Sequence, residues 1–344
     1  PAWTAELEAR ARRGPGKDPD HLGETRRRIL FVDDTMLTPD RDSGSLRAFR
    51  LLQLIREEGF HPIFCPRNLK GRRPYLEALE QEGVECWHTP HIESVAEYLR
   101  RYGRSLDLVI LSRFEVARML LPAVRRLAGP VPVVFDTVDL HHLRFARQAE
   151  LEGSDVARRH AGEIRKRELG LCGEADAVIV VSDLERMRLI EAGIDRPVHV
   201  LSNIHDPNPG PPWSPARRDI LFVGSFRHPP NVDAVLFLVR DIWPLIHPRL
   251  PDARLVIVGQ DPPREIVTDR ERSIAVLGHV PELSGIFDRA RIMVAPLRVG
   301  AGVKGKVNQA LACSVPVVGT PIAAEGIPLE HGHSALLADD AIGF

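Results

Sequence analysis

The run Ile29-Leu-Phe-Val32 recurs as Ile220-Leu-Phe-Val223, and around each copy short apolar runs alternate with stretches of helical period. Strand-length runs lie at 29–33, 61–65, 84–87, 107–112, 131–135 and 177–181, then at 220–223, 254–259, 274–277, 291–296, 315–318 and 335–338. Runs that are apolar throughout, rather than alternating, belong to parallel strands covered on both faces by crossover helices. Two of the intervening helices are plainly marked. Leu46, Phe49, Leu52 and Ile55 recur at every third residue ahead of Gly59, which stands where a C-cap is expected. Val232, Val235, Leu236, Val239, Ile242, Trp243 and Ile246 share one face at a 3.6-residue period and are expected to pack in a core.

Between the two sets Pro207, Pro209, Pro211, Pro212 and Pro215 crowd a polar stretch that neither a helix interior nor a central strand tolerates. The reading is α/β, with two Rossmann-like parallel-sheet domains at 28–202 and 219–344 and a Pro-rich linker at 203–218. Length agrees, because 344 residues suit two domains of ordinary size better than one. Residues 1–27, rich in Arg and interrupted by Gly14, Pro15 and Gly16, read as a linker or frayed N-terminal segment. The start at Pro1 without Met and the stop at Phe344 just after a strand-like run read as a piece of a longer polypeptide, with the second domain cut short.

Lys and Arg total 46 against 47 Asp and Glu, and no half forms a basic arm, so nucleic acid is not an expected partner. Cys65, Cys86, Cys172 and Cys313 form no C-x-x-C pair, which fits buried thiols in a reducing compartment and argues against a disulfide framework or zinc site. No stretch approaches the roughly 20 apolar residues of a membrane-spanning helix, and no signal peptide precedes the first strand. The expected location is cytoplasmic, with a peripheral position at the inner face of the membrane as the variant.

Open parallel sheets bind ligands at the C-terminal ends of their strands, so two such domains imply a cleft lined by the loops that follow strands. The loop Gly300-Ala-Gly302-Val-Lys304-Gly305-Lys306 follows one such run and precedes a helix with Val303, Val307, Ala310 and Leu311 on its buried side. Missing β-carbons let backbone approach a ligand, free N–H groups at a helix start point at it, and two lysines add charge, which together favour a phosphate. Gly300, Gly302 and Gly305 also fit G-x-G-x-x-G, with Glu325 about 20 residues on, as in NAD-dependent dehydrogenases. That fingerprint belongs directly after the first strand of its domain, whereas this loop comes late and Pro296-Leu-Arg-Val299 intervenes. Gly300, Gly305 and Lys306 fit G-x-x-x-x-G-K, but Val307 stands where a P-loop needs Ser or Thr. The plainest alternative is a glycine turn capping a helix, with two solvated lysines.

The run from Pro296 through Arg298, Gly302, Lys306, Gln309, Pro316 and Thr320 to Glu325 resembles the donor-site segment of the retaining group 1 glycosyltransferases. Val223-Gly-Ser-Phe, Asp252 to Gly259, Leu277 to Leu283, Val181-Ser182 and Leu201-Ser-Asn203 resemble further stretches of that family in order, so the resemblance covers roughly 28–340. It implies a GT-B fold, a C-terminal domain for the nucleotide-sugar and an N-terminal domain for a glycan or glycolipid acceptor. It also implies retention of anomeric configuration, no metal and no cofactor, with a UDP- or GDP-linked sugar as substrate and surface glycan assembly as the common setting. Asp42-Ser-Gly44-Ser45 resembles the family's first glycine-rich loop, which faces donor phosphates and acceptor. The implied donor set is Gly44, Ser45, Gly224, Ser225, Arg227, Val280, Gly300, Ala301, Gly302, Val303, Lys306, Gln309 and Glu325. Within it Lys306 and the loop serve the diphosphate, Gln309 the ribose, Val280 the base and Glu325 the sugar or phosphate region.

Several positions depart from the family pattern. Ala301 and Gln309 occupy the places of a common Glu-x7-Glu pair, which removes any role of that pair based on charge. The usual Arg and Lys after the first strand of the second domain fall at Ser225 and Pro230, leaving Arg227 nearby as a diphosphate clamp. The family's final helices, which cross back to the first domain, are not expected in this chain. Asp139 and His141, in Asp136-Thr-Val-Asp139-Leu-His141-His142, follow an apolar strand where the family places groups near the transferred sugar; they are the candidate catalytic pair. A solvated loop carboxylate and exposed imidazoles, or a metal site with His142, are the alternatives. Asp40-Arg-Asp42 reads as a solvated turn, and Arg144, Arg147, Arg158, Arg159, Arg165, Lys166 and Arg167 as a solvated helix face paired with Glu150, Glu152, Glu163 and Glu168. Beside a transferase stand an inactive nucleotide-sugar- or glycan-binding module of a larger protein, and a sugar-nucleotide epimerase of the same fold.

Overall fold

The computed structural model describes residues 26–344, so the segment read as a linker over 1–27 lies, but for its last two residues, outside the described residues. The chain divides into two compact units. The first holds 26–39, Ser45–His141 and Ile164–Leu201; the second holds Asp40–Gly44, His142–Glu163 and Ser202–Phe344. Relative to the boundary read at 202, two short segments of the N-terminal half are thus grouped with the second unit.

The first unit is a seven-stranded sheet of β1 (Arg28–Asp33), β2 (His61–Pro66), β3 (Glu85–Cys86), β4 (Leu108–Ser112), β5 (Val133–Asp136), β6 (Ala177–Val180) and β7 (Val198–Val200). Its order is β3-β2-β1-β4-β5-β6-β7, and every pairing is parallel. The second unit is a six-stranded sheet of β8 (Asp219–Val223), β9 (Arg254–Val258), β10 (Ile274–Gly278), β11 (Ala290–Ala295), β12 (Val317–Gly319) and β13 (Leu336–Leu337). Its order is β10-β9-β8-β11-β12-β13, again all parallel. The repeated Ile-Leu-Phe-Val run is the inner strand at which each order reverses. Leu30 pairs with Ile63 and Val109, and Leu221 with Val256 and Met293. With neighbours on both edges and helices on both faces, Leu30, Phe31, Leu221 and Phe222 are wholly buried.

The helices that bear on the site are α1 (Ser43–Glu57), α2 (His141–Glu152), α3 (Asp155–Glu174), α4 (Pro229–Phe237) and α5 (Gly305–Ala312). In the rod that begins with α4, Val235, Val239, Ile242 and Trp243 are buried and Val232, Leu236 and Ile246 pack against the same core, as their period demands. The apolar positions that mark α1 are not all on its buried face. Ser45, Arg47, Ala48, Leu51 and Leu52 are buried, whereas Leu46, Phe49 and Ile55 are only half-buried. Arg47 turns the helix: its guanidinium, 1% exposed, forks onto Asp136 at the end of β5 at 2.8 and 2.9 Å, and its Nε donates to the carbonyl of Leu201 at 3.0 Å. Ser112 donates to the same carboxylate at 3.2 Å. The pair is fully hydrogen-bonded, the condition under which a buried ion pair is tolerated.

The Pro-rich stretch forms neither helix nor strand before β8 and is anchored in the second unit. Asn208 N–H donates to Ala312 at 2.9 Å, and Arg217 donates to the carbonyl of Pro211. All four cysteines are free and buried, and burial pushes the Cys65 and Cys172 thiols up to about 12. No helix among the described residues is long and apolar enough to cross a membrane.

Because Arg47→Ala strands the Asp136 carboxylate in a dry site, it is expected to cost about 3–5 kcal/mol. Arg47→Lys, which keeps charge but not the fork, should recover only part of this. Urea denaturation of the three proteins measures both.

Candidate functional site

In the second sheet the strand order reverses between β8 and β11, the position where open α/β sheets bind ligands beyond their strand ends. After β8 the chain turns through Gly224 and Ser225 into α4, whose first turn carries Asn231. After β11 it runs through the glycine loop into α5, whose second residue is Lys306. These meet: the Lys306 ammonium donates to Asn231 Oδ1 and lies 4.9 Å from the Phe222 ring centroid, while Asn231 Nδ2 donates to the Ser225 carbonyl at 2.8 Å. Among the described residues no carboxylate pairs with Lys306. Burial, and secondarily the charge of Lys304, lower its pKa to about 7.

Two glycines make this packing possible. A Cβ on Gly224 would lie 2.9 Å from Lys306 Nζ and 2.9 Å from Asn231 Cγ, and a Cβ on Gly259 would lie 1.9 Å from the carbonyl oxygen of Gly224. In the loop itself Gly300 (φ +146°) and Gly302 (φ +68°) take conformations open to residues without a side chain. Gly305 stands against Ser43, whose Cβ a side chain at 305 would meet at 2.3 Å, and Asn203 Nδ2 donates to the Val303 carbonyl at 3.0 Å.

The two loop lysines part company. Lys304 is not a solvated lysine: its ammonium bends back to the carbonyls of Ala301 (3.2 Å) and Gly302 (2.5 Å) and lies 3.9 Å from Glu325. Glu325 accepts both arms of Arg147, each at 2.6 Å, and Arg147 also donates to the Gly300 carbonyl. Arg147 therefore leaves the solvated face to which the sequence assigned it, because a carboxylate 178 residues away offers a fork-shaped acceptor.

Other expected donor residues are more scattered. Arg227 is exposed and pairs with Asp261 at 2.7 Å rather than standing as a clamp. Val280 is half-buried against the second core, and Ala301 and Gln309 are half-buried in the loop and on α5. Gly44 and Ser45 open α1, with Ser45 buried. Asp40 lies 3.4 Å from His279, and Arg41 donates to Gln260 at 3.1 Å, so this turn is less solvated than expected.

In the first unit the chain leaves β5 through Val138, a non-glycine at φ +64°, and brings His141 Nδ1 to 2.9 Å from Asp139 Oδ1. The His141 backbone N–H donates to buried Glu168 at 2.9 Å, and the ring lies 5.6 Å from that of Phe114. Both side chains are half-buried. No group of three or more His, Cys, Asp or Glu among the described residues is arranged to hold a metal ion. At the reversal of this sheet, between β1 and β4, Arg113 (φ +79°) donates to buried Asp33 at 2.6 Å. Sequence reasoning missed Arg113, Asn231, Phe222 and Arg147. For the first two, position just beyond a strand was the available signal; for Phe222 and Arg147 there was none.

Residues 217–344, the stretch holding β8, the glycine loop and Lys306, match the family model described as "Glycosyl transferases group 1". The likeness to that family's model lies in the second unit. A Klebsiella pneumoniae protein described as an uncharacterized 44.6 kDa protein in cps region is 29% identical over 136 residues, which span 37% of this chain and 35% of that protein. Among solved structures the chain is similar to Anabaena Alr3699/HepE in complex with UDP and glucose, at 14% identity and TM-score 0.65 over 91% of this chain and 86% of that one. It is also similar to the pneumococcal O-GlcNAc transferase GtfA in complex with UDP and GlcNAc, at 11% identity and TM-score 0.69 over 92% and 88%. At such identities the likeness is one of fold, and the fold is GT-B: two Rossmann-like parallel-sheet domains.

The state of Lys306 gives a stability signature. Its folded pKa lies below its unfolded one, so between about 7 and 10.5 the unfolded chain binds the extra proton and stability rises with pH. Lys306→Met, which keeps the stem and drops the charge, should raise Tm by at least about 2 °C at pH 6. The gap should close as pH climbs from 7 towards 10.5, and scanning calorimetry across that range measures it.

Proposed function

We propose that the protein transfers a sugar from a nucleotide-sugar, UDP- or GDP-linked, to a glycan or glycolipid acceptor, with retention of configuration and without metal or cofactor. One observation carries this reading: the half-buried Lys306 ammonium at the strand reversal, held by neutral groups and without a carboxylate partner among the described residues. A cation so placed is best matched by a ligand anion, and the glycine loop and the start of α5 add N–H donors beside it. UDP accompanies a sugar in both solved structures named above, which supports a nucleoside diphosphate as that anion.

In the reaction the bond from the anomeric carbon to the diphosphate oxygen breaks and a bond to an acceptor hydroxyl forms. Lys306 and the loop amides of 300–303 stabilise the departing charge. His141, whose Nδ1 lies 2.9 Å from Asp139 Oδ1, takes the acceptor proton. Gln309 serves the ribose through neutral hydrogen bonds, Val280 contacts the base, and Gly44, Ser45 and Gly224 allow close approach. Arg227 joins the diphosphate only by leaving Asp261. The setting is cytoplasmic or peripheral at the inner face of the membrane, in polysaccharide assembly. Ala301 and Gln309, both uncharged, favour a second reading, a donor-binding module without turnover.

Thermal shift and donor hydrolysis across UDP-, GDP-, dTDP- and CMP-sugars, with EDTA present, test the proposal. Stabilisation by one nucleotide class, lost by at least about tenfold in affinity in Lys306→Ala, is the expected outcome. Indifference to every nucleotide, or stabilisation by NAD(H), overturns it; binding with neither hydrolysis nor transfer selects the second reading.

The same lysine sets a pH dependence. Bound diphosphate favours the charged ammonium, so donor affinity should be highest below about 7 and fall as pH rises above it, by at most about tenfold per unit. The charge of a nucleotide-sugar diphosphate is constant over this range, so calorimetric titration from pH 6 to 9 isolates the lysine. Lys306→Arg should flatten the profile.

A further inference from the structure

In a parallel sheet all strands begin at one edge, and in the second unit that edge lies opposite the glycine loop. Across it Ala290, Asp219 and Arg254 stand in one row on β11, β8 and β9. Arg254 forks onto Asp219 at 2.9 and 2.7 Å. Two further arginines are exposed and held loosely: Arg289 stands 3.9 Å from the same Asp219, and Arg218 stands 3.8 Å from the exposed Asp252. Exposed pairs so far apart contribute little, and both guanidiniums remain turned to solvent.

Arg291 is set out of the strand by a bulge. The pairing of β11 with β8 passes from Ala290–Asp219 to Ile292–Ile220, which leaves Arg291 as the extra residue. A bulge of this kind re-aims a side chain that regular alternation would direct elsewhere. Here the guanidinium lies 5.7 Å from the ring centroid of Trp213, and among the described residues no carboxylate pairs with it. Trp213 is 59% exposed, so one side of the indole rests on the arginine while much of the ring meets water. Its segment is pinned from several sides. Buried Arg217 donates to the Pro211 carbonyl, the Arg217 backbone N–H donates to Ser214 at 3.0 Å, and Gly210 lies so close to Asp288 that a Cβ would strike the carboxylate. Pro211, Pro212 and Pro215 restrict the backbone around the indole further. A large apolar ring is thereby held in place at the surface, with little freedom left to lose when a ligand stacks on it.

A pyranose ring presents C–H bonds on its faces and hydroxyls at its rim, and a uronic acid adds a carboxylate. The indole face matches the first, Asp252 accepts from hydroxyls, and the guanidiniums match carboxylates in fork geometry. A nucleic acid backbone carries a phosphate at every unit and gains nothing from the aspartates. An anionic lipid surface is repelled by them and finds one indole to insert.

We propose that the strand-start edge of the second unit binds an acidic glycan, with Trp213 stacking on a sugar ring and Arg291, Arg289 and Arg218 meeting carboxylates. The site goes beyond the sugar transfer proposed above and does not depend on it. It lies a strand's length, roughly 15 Å, from the loop that carries Lys306.

The test is calorimetric titration of the full chain with a galacturonic acid hexamer. Maltohexaose serves as the neutral glycan, and a thymidine hexanucleotide and phosphatidylglycerol vesicles serve as the other anionic partners. Wild type is expected to bind the uronate hexamer at least about tenfold more tightly than the other three, the scale of a charge-assisted contact. Trp213→Ala and Arg291→Ala should each weaken that binding about tenfold, and Trp213→Tyr, which keeps a ring, should weaken it less. All three should keep Tm within about 2 °C of wild type, since neither side chain is buried. Should Arg291→Ala fail to fold, Trp213→Ala and Trp213→Tyr decide by the same titration. Absence of uronate binding, equal binding of maltohexaose, tighter binding of the oligonucleotide or the vesicles, or unchanged uronate binding in Trp213→Ala each overturns the proposal.

Discussion

An ammonium drawn partly out of water, with no carboxylate to meet it among the described residues, is a debt in the protein, and Lys306 is in that position. Its pKa of about 7 records the cost, since burial is the main cause of the drop. What holds it there is packing of backbone and neutral groups: the Asn231 amide, the Phe222 face and the bare Cα of Gly224. Asn231 is in turn fixed by the Ser225 carbonyl, and Phe222 is the buried end of the central strand. The turn after β8, the start of α4 and the start of α5 are thus arranged around one charge. A site that keeps a cation ready in a low-dielectric place gains more from an arriving anion than one that must reorganise to meet it.

The neighbouring charges are disposed differently. Glu325 is answered by Arg147 and approached by Lys304, and Lys304 also spends its donors on its own loop. The first unit repeats the contrast at the ends of its strands, where Arg47 satisfies Asp136 and Arg113 meets Asp33, while Asp139 and His141 face each other in the loop beyond. In both units the central strands stay apolar almost to their last residue, and charge begins where the helices no longer cover the sheet. This follows from the parallel architecture, whose interior has no water to offer a charged group.

That architecture was legible because fully covered strands leave continuous apolar runs, and each of the twelve runs read from the sequence corresponds to a strand. The thirteenth strand, β7, escaped because Val198-His-Val200 lies at the sheet edge with His199 exposed and reads as alternating. Hydrophobic period marked α1 but cannot foresee a buried arginine; Arg47 goes inward on account of Asp136, 89 residues on. The glycine loop stood out through three glycines and two lysines, yet nothing in its spacing distinguishes the lysine that turns back on the loop from the one that does not. Arg147 was hidden among similar basic residues, since its partner lies far along the chain.

The stacking of Gly259 on Gly224, and of Gly224 on Lys306, bears on how such a sequence can drift. A methyl group at 224 meets both the ammonium and the Asn231 amide, whereas a methyl at 259 meets backbone that has nowhere to go. Replacing Lys306 by a short residue would relieve part of the constraint on 224 and none of that on 259. The order of substitutions therefore matters: a lineage that gives up the lysine first gains freedom at the glycine, and side chains then accumulating at 224 would bar the lysine's return. Loss of the cation would act as a ratchet, and position 224 would carry the historical record of it.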